Sequence, residues 1–552
     1  MTENSYEHIQ PFYPPPIHDR QVAKNSFYHI FLSVVLSFAA VLMTRVQFSG
    51  TVSGTADQNY FSRFGISAVV LFLFLLTVLC FIIPFLDSRL YNSLEKLCSH
   101  ADSQYDRPRV IRFWGILIAA AWLPYYLSYY PGGIYSDTFT SVSYCLSGTV
   151  CNRHPLFYNA LIGLAIRFGN LFHQDLEWSM GLFLAAQMLL LEVEILYFLH
   201  WMLIHHINHR IYTCIMLFMV FFPLMPLYAV SVWKDTPFSM AFLFWFLFTV
   251  DLYLNIRRQK WHAGTLAGFV LGMFLVAFTR NNGIYVVLAT TVLFLLLTFT
   301  FQFQKKLVTY GVVLLSALTI TFIQGPVYRH AGVIPTDVVE DIGIPIQQIC
   351  SVVVHDGKIS QAQKESIDRF IPYENIPEYF KPCVVDSIKW SAGMDWWYLE
   401  LHKAEFWDLW KHLFLQNPQI YLEEYLLETL GFWNVDVSGP NGYVQTHVWS
   451  NDYGLTQTDW FERLTGFSFQ HFVNPRSYIS CAWFFWLFFV CAVFVMKHYG
   501  FRNCFLFVPQ MAVWLTLMIA TPLAVSLRYI APLLFTLPFI ILIPVLLEKE
   551  TL

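Results

Sequence analysis

Charge is what this sequence has least of. Only 13% of its 552 residues are Asp, Glu, Lys or Arg, about half the share found in an average soluble domain, while 56% are hydrophobic. With a mean hydropathy of +0.50, that deficit excludes a soluble globular chain and points to an integral membrane protein. Catalytic signatures are missing as well. No P-loop, GxGxxG, HExxH or GxSxG pattern occurs, which leaves nucleotide hydrolysis, dinucleotide binding and zinc or serine hydrolase chemistry without support. The ten cysteines form no CxxC and no Cys/His cluster with ligand spacing, so no metal residues are assigned. Cys145 with Cys151, or Cys350 with Cys383, are placed to pair if they lie outside the cell, unpaired core thiols being the alternative. Residues 1–25 carry "PFYPPP" but no signal or transit pattern, and read as a cytoplasmic tail.

What is there is a succession of apolar runs. About twelve, beginning near Phe27, Ile66, Phe113, Met180, Ile211, Thr236, His262, Gly283, Leu307, Ile479, Phe501 and Ser526, approach the roughly 20 residues needed to cross a bilayer. The run "PLFYNALIGLAIRFGN" after His154 is shorter: as a helix it reaches only about 24 Å and carries Arg167, so an interfacial or re-entrant helix is expected. If it does not cross, Arg210, Arg257, Arg258, Lys260, Lys305, Lys306, Lys497, Arg502 and Lys549 all face the cytoplasm, and only Lys234, Arg280 and Arg528 lie in short outer loops. The positive-inside rule favours that topology.

The expected organisation is a transmembrane domain over 26–327 with a polar outer loop at 131–178, a soluble extracytoplasmic domain over 328–478, and closing transmembrane helices over 479–552. The soluble stretch holds 10 Lys and Arg against 20 Asp and Glu, which excludes nucleic acid as a partner. Its apolar residues recur at helical spacing in "EFWDLWKHLFLQNPQIYLEEYLLETLGFW". Its eight tryptophans, among them Trp396, Trp397, Trp407, Trp410 and Trp433, suit either sugar stacking or core packing and interfacial anchoring. "NVDVSGPNGYVQTHVWSNDYG" reads as a long loop.

In this topology every unusual polar motif falls on the outer face: "PGGIYSD", "RHP", "SVWKDTP", "FTRNNG" and "SLRYIAP". An ionisable group at a span end is costly unless paired or functional, so five on one face suggest a shared cavity. Asp137 is either a helix cap or a general base that takes a proton from an attacking hydroxyl; His154 either assists it, binds a phosphate when protonated, or caps or packs locally. Lys234, Arg280 and Arg528 suit a phosphate leaving group, the alternative being ion pairs such as Lys234 or Arg280 with Asp235. Asp235, Asn281 and Asn282 are read as sugar-binding or site-shaping, the two side-chain amides being suited to sugar hydroxyls. Glu192, Glu194 and Asp251 sit in or near spans. The two glutamates lie about 200° apart on a helix and cannot line one narrow path, which weakens a transporter reading.

The outer acid loop, the interfacial helix after it, the many spans, the outward cations and the late external domain resemble the GT-C superfamily of membrane glycosyltransferases. "PGGIYSD…RHPLFYNALIG", "SVWKDTPF", "RNNGIYV" and "LRYIAPL" are more closely similar to an uncharacterised bacterial multi-pass family placed near it. The resemblance covers roughly Pro131 to Leu533. It implies a polyprenyl-phosphate sugar donor, with Asp137 at the place of the first-loop catalytic acid and Arg528 at the place of a late arginine facing lipid phosphate. Here two spans precede the acid loop, and the acid is a single Asp rather than an Asp-x-Asp pair; a divalent cation is the one cofactor left open.

The expectation is therefore an all-α polytopic protein of the bacterial plasma membrane. It transfers a sugar from polyprenyl phosphate to an extracytoplasmic envelope glycan or lipid acceptor, with inversion, among membrane lipids. Alternatives are a polyprenyl-pyrophosphate glycan polymerase or ligase, and a lipid-linked glycan flippase.

Overall fold

The computed structural model describes residues 18–46, 64–98, 106–382, 384–435, 444, 446–473, 479–520, 523 and 526–550, with side chains from residue 26 onward except that of Phe472. Most of the expected tail, Cys383, and positions 436–443 and 445 of the expected long loop lie outside the described residues.

Apolar sequence becomes helix throughout, and no β-strand occurs among the described residues. In chain order the first helices are α1 (His18–Arg45), α2 (Ile66–Cys98), α3 (Arg107–Ser128), α4 (Ser136–Ser147), α5 (Leu156–Leu171) and α6 (Leu176–Ile204). They are followed by α7 (His209–Phe221), α8 (Leu224–Ala229), α9 (Asp235–Arg257), α10 (Ala263–Thr279), α11 (Gly283–Thr298) and α12 (Lys306–Phe322). Polar side chains mark several starts. Asp106 accepts from Arg109 N at 3.3 Å at the head of α3, and Asp175 accepts from Trp178 N at 2.8 Å at the head of α6. Gly148, with φ +72°, closes α4 in the left-handed conformation.

Nine helices among the described residues are long and apolar enough to cross a bilayer, which defines a multi-pass membrane protein. Three of the twelve expected spans fall short of that length. α7 stops after 13 residues, where Phe222 turns extended ahead of Pro223, as the steric clash of a following proline requires. α10 and α11, of 17 and 16 residues, are interrupted between them by the extended Arg280. α5 is likewise short, at 16 residues.

The centre and edge of the bundle differ in burial. In the span Leu527–Lys549, 83% of the apolar window is buried, and in α9 72%, against 11% in α2. α9 and the last span are thus the axis of the protein, and α2 presents its apolar surface outward to lipid. α9 packs closely along α10: a Cβ on Gly268 or Gly272 would lie 2.3 Å from Phe248 or 2.6 Å from Trp245. α1 and α2 dock on helix Ala482–Tyr499 through Leu32, Ile83 and Val493, and through Asp87, which takes Lys497, His498 at 2.9 Å and His29 at 3.2 Å.

A second apolar core, built from Val339 to Tyr421, stands apart from the main one. The residues that follow, Leu427, Phe432 and Trp433, pack into the main core. Trp396 donates to the Lys389 carbonyl at 3.0 Å and Trp410 to Gln348 Oε1 at 2.9 Å, both packed against the second core. Trp397 is exposed. Cys145 and Cys151 are both free thiols, so that expected pairing is not made; Cys145 Sγ instead donates to the Asn159 carbonyl.

Candidate functional site

The candidate site forms where the chain stops being helical. Between α3 and α4, Tyr130–Ile134 runs extended and is paired on both sides. Gly133 N donates to Val230 O at 2.9 Å, and Val232 N returns to Gly133 O at 2.9 Å. On the other side Trp449 N donates to Ile134 O at 2.9 Å, and Thr458 N to Tyr130 O at 2.8 Å. Gly132 makes this crossing feasible. Its φ is +120°, and a Cβ there would sit 2.7 Å from Val232 Cγ2. Thr138 and Tyr158, both buried, add hydrogen bonds from α4 and α5 to the Val232 carbonyl. The acid loop is therefore locked to the segment that carries Lys234 and Asp235.

Six of the expected residues meet there. Arg528 bonds both carboxylates, its Nε lying 2.5 Å from Asp235 Oδ2 and its terminal nitrogen on Asp137 Oδ2. Arg280 is 2.5 Å from Asp235 Oδ1. Lys234 Nζ lies 3.3 Å from Asp137 Oδ2 and 2.8 Å from His154 Nδ1. The expected alternative of an Arg280–Asp235 ion pair is thus realised, while Lys234 pairs with Asp137 instead. Asp137 makes no side-chain cap at the start of α4, so the capping reading does not hold.

Burial grades across the network. The Asp235 side chain is fully buried, that of Arg280 is 10% exposed, and that of Asp137 is 29% exposed. The inner end is structural and the Asp137–Lys234–Arg528 end is open. Aromatic rings hold the guanidinium groups: Arg528 lies over Trp233 and Tyr529, and Arg280 over Tyr529 and Phe238. Tyr135, Trp233, His447 and Trp449 form an aromatic flank beside the acid loop, with Tyr135 4.9 Å from Trp233 and 6.0 Å from Trp449. Trp449 is exposed, and Tyr453, stacked on Phe139, is exposed beside it.

Burial alone would push the Asp137 carboxyl up, but the Arg528 and Lys234 charges outweigh it and hold the group well below the usual carboxylate range. For His154, burial first and the Lys234 charge second pull the pKa from 6.5 to about 3, so the ring is neutral at physiological pH. Burial also lowers Lys234, against the pull of Asp137. With Lys234 and the two arginines charged, three cations face two carboxylates, and one positive charge is left over at the open end.

Asn281 and Asn282 are not in this network. Asn281 Nδ2 donates to the Asn152 carbonyl at 2.9 Å and to Thr336, fastening the loop before His154, and Asn282 donates to Thr516 at 3.0 Å. Both amide nitrogens hold segments in place, and Asn282 Oδ1 is buried without a hydrogen-bond partner among the described residues. Asp251 bonds Trp201 and His205, each at 2.9 Å, sixteen residues along α9 from Asp235. Glu192 and Glu194 lie in mid-helix on α6.

Trp233, Tyr529, Thr138 and Tyr158 did not stand out in the sequence. The first two adjoin Lys234 and Arg528 directly, and an aromatic next to a cation was the available signal. Among the described residues no group of three His, Cys, Asp or Glu side chains is placed to hold a metal. The site's two carboxylates are engaged by cations, a donor set that does not fit a divalent ion.

The architecture and site together define a multi-pass helical membrane protein with a buried ion-pair network at one end of its central spans. The chain belongs to DUF6020, a family of unknown function, whose pattern matches residues 146–551. Asp137 precedes the matched stretch, and the other network residues fall within it. No curated protein and no solved structure matches the chain.

Proposed function

We propose that this protein is a GT-C-like glycosyltransferase that moves a sugar from polyprenyl phosphate to an envelope glycan or lipid acceptor on the outer side of the plasma membrane. One observation carries the reading. Three cations and two carboxylates from sequence-distant segments converge at the end of the central spans, with one positive charge in excess at the less buried side, where Asp137 is 29% exposed. A lipid phosphate lying at the interface is an anion of suitable charge and depth for that position.

In this proposal Lys234 and Arg528 take the donor phosphate and stabilise the charge that grows on it as the bond to the anomeric carbon breaks. Arg280 acts from behind by neutralising Asp235, which keeps Arg528 in place. Asp137, released in part from its cations when phosphate arrives, accepts the proton of the attacking acceptor hydroxyl. His154 is neutral and accepts or shares a hydrogen bond with Lys234, orienting its ammonium. Attack opposite the departing phosphate inverts the anomeric centre. The exposed Trp449 and Tyr453 beside the acid loop suit stacking on a saccharide.

The test is release of polyprenyl phosphate from a panel of polyprenyl-phosphate sugars, with purified protein and crude envelope glycan as acceptor. Release by wild type, and loss of about 100-fold or more in Asp137→Asn, is the expected result. Equal release by the two proteins removes Asp137 from the chemistry, and no release from any donor by folded wild type removes the reading.

A further inference from the structure

One acid close to the site has no part in the proposed reaction. The short helix Asp386–Ser391, at the second apolar core, is fastened to the site from two directions. Ahead of it, Val384 pairs with Leu523, five residues before Arg528. Within it, Lys389, with a side chain only 1% exposed, lies 3.3 Å from Glu340 Oε2, and Glu340 Oε1 takes Arg153 at 3.1 Å. The Arg153 guanidinium also lies 4.7 Å over the Trp390 ring. Arg153 precedes His154, the partner of Lys234, and its loop is paired with Ile334: Asn152 N donates to the Ile334 carbonyl at 2.8 Å, and Ile334 N to the Val150 carbonyl at 3.0 Å. The helix is thereby held against the segments that carry Arg528 and His154.

Asp386 opens that helix and is half-buried. Its charge acts on Asp137 and on Tyr529, the residue after Arg528, so the carboxyl stands near the less buried end of the network. The other groups around it are Lys389, Glu340, Glu428 and the indole of Trp390, which donates to it. Burial pushes the carboxyl above its ordinary range; the Lys389 charge opposes that, and the Glu340 and Asp137 charges add to it. Arg528 and Lys234 displace Asp137 the opposite way. Two neighbouring carboxyls whose surroundings drive their proton affinities apart are suited to different roles in one proton transfer.

We infer that Asp386 is a proton relay for the proposed transferase: Asp137 takes the proton of the acceptor hydroxyl and hands it to Asp386, which releases it to water outside. The inference rests on the transferase reading. As the acceptor oxygen bonds to the anomeric carbon, the bond from that carbon to the donor phosphate breaks, and the phosphate leaves with its electron pair. The hydroxyl proton moves to Asp137, then to Asp386, then to water, and both carboxylates end ionised as they began. The second transfer runs downhill, because Asp137 between two cations holds a proton weakly and Asp386 holds one more strongly. In this role Asp386 acts through Asp137 rather than on the sugar.

Two readouts test the relay on the detergent-purified full chain. In an infrared titration with isotopically labelled aspartate, the carboxyl band lost in Asp386→Asn should titrate above the ordinary carboxylate range. It should move down in Asp137→Asn, where one like charge is gone. Release of polyprenyl phosphate from the polyprenyl-phosphate sugars should fall on acidification in wild type through the same pH as that band. Asp386→Asn should be about tenfold slower with that inflection absent, and Asp386→Glu close to wild type. Asp386→Asn should also unfold at or above the wild-type temperature at pH 7, since ionising a carboxyl whose pKa is raised by folding costs stability there. A band in the ordinary range, a band unmoved by Asp137→Asn, or a pH profile unchanged in Asp386→Asn overturns the inference. No release from any donor, with the band behaving as expected, would remove the transferase reading and the relay with it, leaving only the coupled carboxyl pair.

Discussion

Arg528 holds two carboxylates at once, and the two are not equivalent. Asp235 is fully buried and shared with Arg280, whereas Asp137 is partly open and shared with Lys234. Removing one partner of a buried pair leaves a charge uncompensated, at a cost of about 3–5 kcal/mol. Arg280→Gln should therefore lower thermal stability markedly, with Arg280→Lys intermediate, in unfolding scans of the detergent-solubilised protein. Asp137→Asn should cost much less stability and most of the turnover. The pH behaviour follows from the same contacts. Asp137 is held well below its ordinary range and His154 at about 3, so both resist protonation in the folded state more than in the unfolded state. Stability contributed by His154 is complete above pH 6.5 and declines as pH falls toward about 3; that from Asp137 is lost only below the ordinary carboxylate range. Unfolding temperature should fall on acidification through pH 6 to 4 in wild type and less steeply in His154→Gln. In the proposed reaction neither residue gives the rate an inflection between pH 5 and 7.

At the scale of elements, the acid loop is a short extended segment clamped between two others, and its register depends on Gly132. Gly132→Ala puts a methyl group 2.7 Å from Val232 Cγ2 on a backbone with φ +120°. The expected result is a folded protein with turnover reduced at least tenfold, partly restored by Val232→Ala, which removes the clash but not the backbone strain. Asn281 clamps the loop before His154 from the other side; Asn281→Ala should cost about 1 kcal/mol and raise amide exchange across 150–155, measured by hydrogen exchange. These elements also mark how far the sequence could be read. Long apolar runs give helices directly, and each of the twelve expected spans coincides with one. The short lengths of α7, α10 and α11 had sequence signals that were under-read: Pro223 forces Phe222 extended at the end of α7, and the polar Arg280–Asn282 break leaves only 17 and 16 residues for α10 and α11. The pairings of Tyr130, Gly133 and Ile134 were hidden, since isolated bridges leave no alternating pattern.

For the whole molecule, the legible part of the site was its placement at one end of the bundle. Basic residues crowd the opposite ends, which set Lys234, Arg280 and Arg528 apart. Which carboxylate each would meet was not legible: Asp137 and Arg528 are 391 positions apart and meet because α9 and the last span begin side by side at this end, where the acid loop is clamped to the residues that open α9. Convergence turns separate span-end charges into a network with one positive charge in excess, and that excess is the basis of the functional proposal. The most direct test is binding of farnesyl phosphate, with farnesol as the uncharged control, to wild type, Lys234→Gln and Arg258→Gln. Binding of the phosphate at least tenfold tighter than the alcohol, lost in Lys234→Gln and kept in Arg258→Gln, is the predicted result. Equal binding of phosphate and alcohol, or a Lys234→Gln protein that binds like wild type, would contradict the account.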